Sequence, residues 1–166
     1  MIDSDVLMSI KNRHDADVLF AGLLDLAKAG VLKSVRQVFK EMKNDPVLKA
    51  KFLPNRKLIE VENSRQYCAD VAKRITLLGQ HAPHLWPQTG GSTKDPADPW
   101  LIAVASAYNF CVVTNENRRS LKKIPAACKI AGTECECISG PHFFYETNIV
   151  TEIDPAHISP ADFFDQ

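Results

Sequence analysis

The sequence predicts an α/β sandwich with a mainly parallel sheet. Three observations carry that expectation. The run Phe110-Cys111-Val112-Val113 has the continuous hydrophobicity of a central parallel strand. The segment before it, Pro99 to Asn109, is apolar almost all round and reads as a buried helix. Elsewhere, helical stripes alternate with short apolar segments, as successive βα units do.

Met1-Ile2-Asp3 forms a very short first strand, and a helix can begin in Val6 to Ile10. Asp17 to Ala29 is a second helix, with Val18, Leu19, Leu23, Leu26 and Ala27 near helical spacing and Gly30 as its stop. Val35, Val38, Phe39 and Met42 mark one face of a third, which Asn44-Asp45-Pro46 ends. Asp45 to Val61 fits neither template. From Ser64 to Gln80, Tyr67, Val71, Ile75 and Leu78 make another stripe, with Ser64 as a candidate N-cap. His81 to Pro99 carries four prolines and a Gly-Gly pair and reads as a loop. Beyond the apolar strand come a short helix from Pro125 to Ala131 closed by Gly132, a strand from Cys135 to Ile138, and a helical turn from Pro141 to Thr147. The expected organisation is one domain over residues 1–147 and an acidic tail over 148–166.

The chain has 166 residues, enough to bury a sizeable core. Twenty basic and twenty acidic side chains cancel, so contact with nucleic acid would need a local basic patch. No apolar run approaches a membrane span, and acids interrupt the apolar N-terminus, which argues against a signal peptide. The odd cysteine count, five, speaks against a disulfide framework and for a reducing, cytoplasmic setting. Cys128, Cys135, Cys137 and His142 have a spacing that fits no common structural zinc pattern.

Four acids sit at informative places. Asp3 ends the first strand, where open parallel sheets bind ligands, although Asp3 or Ser4 would also cap the next helix. Asp5 lies within reach of the same edge. Asp98 precedes Pro99 and fits a helix N-cap, yet Asp95-Pro96 offers the same cap three residues earlier. Thr114 and Glu116 follow the central strand directly, as in an ordinary polar turn or at the edge that carries Asp3. Glu41, on a helix, is by itself an ordinary solvated acid.

The set of motifs resembles a PIN domain, the fold of VapC-type toxin ribonucleases. Ile2-Asp3-Ser4-Asp5-Val6-Leu7-Met8 is similar to the opening motif, and Glu41 matches the helical glutamate. Ala97-Asp98-Pro99-Trp100-Leu101-Ile102-Ala103 matches the third acid, and Val112-Val113-Thr114-Asn115-Glu116 the last strand with its trailing acid. Asp98's segment and Lys122 to Cys128 resemble a branch long labelled a domain of unknown function. In two departures, Asp5 stands where asparagine is commoner and Glu116 where aspartate is commoner. In a third, little precedes Asp3.

The resemblance implies a three-layer α/β/α sandwich and a metal-dependent endoribonuclease, the toxin of a toxin–antitoxin pair. Its catalytic and metal-binding residues would be Asp3, Glu41, Asp98 and Glu116, supported by Ser4, Asp5 and Thr114. Carboxylates brought together raise each other's pKa unless a cation intervenes, and Mg²⁺ or Mn²⁺ suits such hard oxygen donors. The ion would prepare a water for in-line attack on phosphorus and stabilise the leaving oxygen. Lys94, Arg118 and Arg119, with Lys122 and Lys123, are candidate phosphate contacts. The implied partners are RNA, a cognate antitoxin and a second copy in a homodimer. A catalytically silent PIN-like module that binds RNA or protein, and a DNA-directed or structure-specific nuclease, are the alternatives.

Overall fold

Extended backbone at Met1–Asp3 leads straight into α1 (Ser4–Ile10), whose Val6, Leu7 and Ile10 are buried. The computed structural model describes residues 1–86 and 95–150. After a turn, α2 (Ala16–Lys28) buries Leu19, Phe20, Leu23 and Ala27, and Gly30 at φ +77° ends it in a conformation that favours glycine. Val18, expected on this stripe, instead faces outward and is 62% exposed. α3 (Arg36–Met42) buries Val38, Phe39 and Met42 as expected. Asp45 does more than end a helix, because its side chain accepts the Val47 and Leu48 N–H groups and caps α4 (Pro46–Phe52). A short 3₁₀ turn then leads to α5 (Arg56–Ile59).

The stripe expected over Ser64–Gln80 is broken. α6 (Asn63–Gln66) stops at Tyr67, and Cys68 in extended conformation becomes the N-cap residue of α7 (Ala69–His81). Ser64 therefore lies inside α6 and caps nothing long. Tertiary contacts explain the break. Gln66 is fully buried, accepts the Arg36 N–H at 3.1 Å and donates to Gln37 Oε1 at 2.5 Å. Tyr67 meets the Trp100 ring edge-on at 5.1 Å between centroids. These contacts outweigh the weak local preference for continuing the helix.

α8 (Ala97–Tyr108) packs along α7 and buries Leu101, Ile102, Ala103, Val104 and Ala105. Asn109, at φ +55°, ends it, and the Phe110 N–H returns to Ala105 O. That turn consumes part of the apolar run, so β1 is only Val112–Val113. The remaining elements are α9 (Ile124–Ala127), β2 (Cys137–Ile138) and α10 (Gly140–Glu146). α9 ends before the expected Ala131.

The fold is thus mixed α/β, mostly helical, with parallel strand pairing. β1 pairs with β2 in the register Val112↔Cys137 and Val113↔Ile138. Ile2 bridges Val113 in parallel, and Ser34 bridges Glu60 in parallel. The Ile2 N–H donates to Lys33 O at 2.9 Å, and Ser34 Oγ donates to Ile2 O at 2.7 Å. The hydrogen-bonded order across these extended segments is Glu60, Ser34, Ile2, Val113, Ile138. The chain's first segment therefore lies in the middle, with later segments added to each side. Such a reversal of order opens a crevice at the carboxyl ends of parallel strands. Among the described residues, no helix is long and apolar enough to cross a membrane.

Candidate functional site

Asp3 and Thr114 leave adjacent parallel segments at their carboxyl ends. Asp3 is only 4% exposed. Its Oδ1 caps α1 by accepting the Ser4 N–H at 2.6 Å, so the capping role expected for it is real. Its Oδ2 points to the Thr114 hydroxyl at 3.1 Å. That hydroxyl also reaches Asp5 Oδ2 at 3.2 Å, and the Glu116 N–H donates to it at 3.3 Å. Thr114 has one proton to share between two carboxylates. The Asn115 N–H gives Asp5 Oδ2 a second donor at 3.0 Å.

Glu41 enters from α3. Its Oε2 accepts the Ser4 hydroxyl at 2.6 Å and its Oε1 accepts the Ala97 N–H at 3.1 Å. Glu41 thus ties α1 to the start of α8. This also corrects the expectation for Asp98. Helix α8 begins at Ala97 with Pro96 as its N-cap residue, so Asp98 lies within the first turn and is not the cap. Asp95 is occupied too, accepting from Gln37 Nε2 at 2.7 Å and Trp100 Nε1 at 2.5 Å. The capping explanation for Asp98 is removed, and its carboxyl is placed among other acids.

Electrostatics show the convergence. Burial first, then the charges of Asp5 and Asp98, push Asp3 well above the usual carboxylate range. Burial also raises Asp5, against the neighbouring Asp3 carboxyl and the hydrogen bonds from the Asn115 N–H and the Thr114 hydroxyl, which lower it. Asp98 is pushed up to about 7 by burial and then by Glu116 and Glu41, with Lys123 opposing. Asp5 Oδ1 is buried and accepts no hydrogen bond. A buried, unpaired carboxylate oxygen is costly unless a cation or donor meets it.

Glu116 is held differently. Lys123 Nζ donates to its Oε1 at 2.6 Å and the Ile124 N–H to its Oε2 at 2.7 Å. Arg118 donates to Cys137 O on β2 at 2.9 Å, while Arg119 and Lys122 are exposed. Lys94 lies outside the described residues, as do residues 151–166 of the tail. Among the described residues, no three His, Cys, Asp or Glu side chains are arranged as a ready-made cage for a metal ion. The Cys128, Cys135, Cys137 and His142 group is included in that statement.

Two residues that the sequence did not single out support the site. Asn115 accepts the Gly140 N–H at 2.9 Å and donates to Ser9 Oγ at 3.0 Å. A Cβ on Gly140 would lie 2.7 Å from Asn115 Oδ1 and 3.0 Å from Val6 Cγ1. Gly140→Ala is therefore expected to push the Asn115 side chain off the Gly140 N–H and cost roughly 1–3 kcal/mol, as overpacking does. Denaturant melts check this, and an unchanged midpoint contradicts it. No local signal marks Gly140, because its constraint comes from a residue far away in sequence.

The family described as a domain of unknown function, DUF4411, matches residues 1–150. No curated protein and no solved structure matches the chain. With all but the end of its length covered by that match, the chain belongs to the DUF4411 family.

Proposed function

We propose that this protein is a metal-dependent endoribonuclease with a PIN-type three-layer sandwich, acting as the toxin of a toxin–antitoxin pair in the cytoplasm. One observation carries the reading. The Asp3 and Asp5 carboxyls share the Thr114 hydroxyl at 3.1 and 3.2 Å at the carboxyl ends of parallel segments, and the charges of Asp5 and Asp98 both act to raise Asp3. The sheet-edge position is where α/β folds bind ligands. RNA as substrate, an antitoxin as partner and a homodimer rest on the resemblance of the motifs to PIN domains.

The donor set fits Mg²⁺ or Mn²⁺ in chemical class. It offers hard carboxylate oxygens, and Asp5 Oδ1 is buried without a donor. Asp3, Asp5 and Asp98 would hold the ion. When bound, the ion supplies Lewis-acid stabilisation of charge on phosphate oxygens. Thr114 keeps the Asp3 and Asp5 carboxylates side by side. Ser4 and Glu41 fix the end of α1 against the start of α8, and so fix Asp98 relative to Asp3. Arg119 and Lys122, both exposed, would meet a phosphate backbone by charge, without reading sequence.

The test is cleavage of single-stranded RNA in Mg²⁺ or Mn²⁺, with single-stranded and flap DNA in parallel. Asp3→Asn and Asp98→Asn are expected to abolish cleavage and growth inhibition while leaving circular dichroism unchanged. Wild-type rates in both variants sink the assignment, and a preference for DNA moves it to a DNA-directed nuclease. A second reading, a catalytically silent module that binds RNA or protein, is favoured by the lack of a ready-made metal cage among the described residues. The absence of Mn²⁺ binding at millimolar concentration would select it.

A further inference from the structure

Glu116 is the acid whose environment differs most from that of its neighbours. Asp3, Asp5 and Asp98 lie among one another's negative charges, whereas Glu116 is met by a cation of this chain as well as by a backbone N–H. Oε1 holds the Lys123 ammonium at 2.6 Å and Oε2 holds the Ile124 N–H at 2.7 Å. The carboxylate is 14% exposed, so solvent does little to loosen either contact. The segment bearing Lys123 is pinned as well, since Ile124 and Pro125 open α9 and are both buried. The Lys123 ammonium also acts on Asp98 and Asp5, which add to the attraction Glu116 exerts on it. A cation therefore stands on the Glu116 side of the acidic crevice, covalently tethered to the protein.

We propose that Lys123 takes the place of a second divalent ion, so that the protein binds a single ion at Asp3, Asp5 and Asp98 and uses a tethered ammonium beside Glu116. The proposal rests on the metal-dependent reading above. Two-ion sites place their metals about 3.5–4 Å apart and clamp both reacting oxygens. A second ion here would have to displace the lysine from Glu116 and sit against its charge. An ammonium is a compact point charge able to donate hydrogen bonds to a phosphate oxygen. Lys123, 49% exposed and next to Lys122, can supply that charge without leaving the crevice. Glu116 then acts as the tether and cap that aims Lys123, which accounts for a glutamate whose oxygens are already engaged.

Calorimetric titration of the full chain with Mn²⁺ tests this, using wild type, Lys123→Met and Lys123→Arg, with thermal melts to confirm folding. Wild type and Lys123→Arg are expected to bind one Mn²⁺ per chain. Lys123→Met is expected to gain a second ion, or to bind the first about tenfold tighter, because a like charge nearby has been removed. Two ions in wild type overturn the proposal and leave the nuclease reading standing. So does a Lys123→Met protein whose stoichiometry and affinity both match wild type. Failure of all three proteins to bind Mn²⁺ removes the metal-dependent reading itself, and this proposal with it.

Discussion

Asp98→Asn is expected to raise the melting temperature of the metal-free protein and to remove the proposed nuclease activity. The two effects share one cause. Burial, together with Glu116 and Glu41, pushes the Asp98 carboxyl up to about 7 from a usual 3.8, which means that its charged form is disfavoured in the folded state. A shift of that size corresponds to about 4 kcal/mol at 1.4 kcal/mol per unit. Partial solvent access reduces it, and we expect a gain of about 2 kcal/mol at pH 8 for the neutral isostere. In a chain of this length that is roughly 4–8 °C. Scanning fluorimetry in EDTA at pH 8 measures it, and a lower melting temperature for the variant contradicts the argument. Activity moves the other way. An amide neither carries the charge nor binds Mg²⁺ as a carboxylate does, and losing several kcal/mol of charge stabilisation costs roughly a hundredfold or more in rate. Stability held in reserve for function is common at working sites.

The second large effect is on pH dependence. Asp3, Asp5 and Asp98 all have raised folded-state pKa values. Between 3.8 and about 7, the Asp98 limits, the folded chain binds more protons at these groups than the unfolded chain does. Stability must then fall as pH rises through that window and be lowest, with respect to these groups, above it. Asp15 and Asp45 have lowered pKa values through Arg13 and Lys11, so they lose their contribution only on going below the usual carboxylate range. Through these acids the metal-free protein is therefore expected to lose stability between pH 5.5 and pH 8, a loss that the buried Met1 amine, lowered to about 6, offsets only in the upper part of that range. Mn²⁺ should reverse the order, since protons and metal compete for the same oxygens. Thermal melts at both pH values, in EDTA and in excess Mn²⁺, decide it. An EDTA series that is flat or rises towards pH 8 contradicts the coupling of the three acids.

Much of this was legible in the sequence where the cause is local. The continuous apolarity of Phe110–Val113 pointed to a strand beside a buried helix, and Val38, Phe39 and Met42 gave the buried face of α3, with Val35 at its N-cap. Asp3 at the end of the first extended segment is readable both as a cap and as a candidate site acid; one of its oxygens caps α1 and the other meets Thr114. What was not legible depends on partners distant in the chain. Asp98 reads as a cap of α8 because an aspartate before proline usually is one. In the structure Glu41 supplies that contact from α3, across 56 positions of sequence. The helix over Ser64–Gln80 was broken by a buried glutamine and an aromatic pair that no periodicity encodes. Glu116 joins the metal ligands through its place after the central strand and the resemblance to PIN motifs, neither of which reveals that Lys123 and Ile124 hold it.

The placement of Ile2 between Ser34 and Val113 has a consequence in time. The segment around Ile2 becomes the middle of the parallel array, and it waits for the much later Val113 before one side of it can close. Asp3 meets Thr114 across 111 positions, so closing that loop is among the slow events of folding. At about 5–20 residues per second of synthesis, the acids stay apart for several seconds while the ribosome completes the chain. A nascent copy of this protein carries all its early acids and no assembled site.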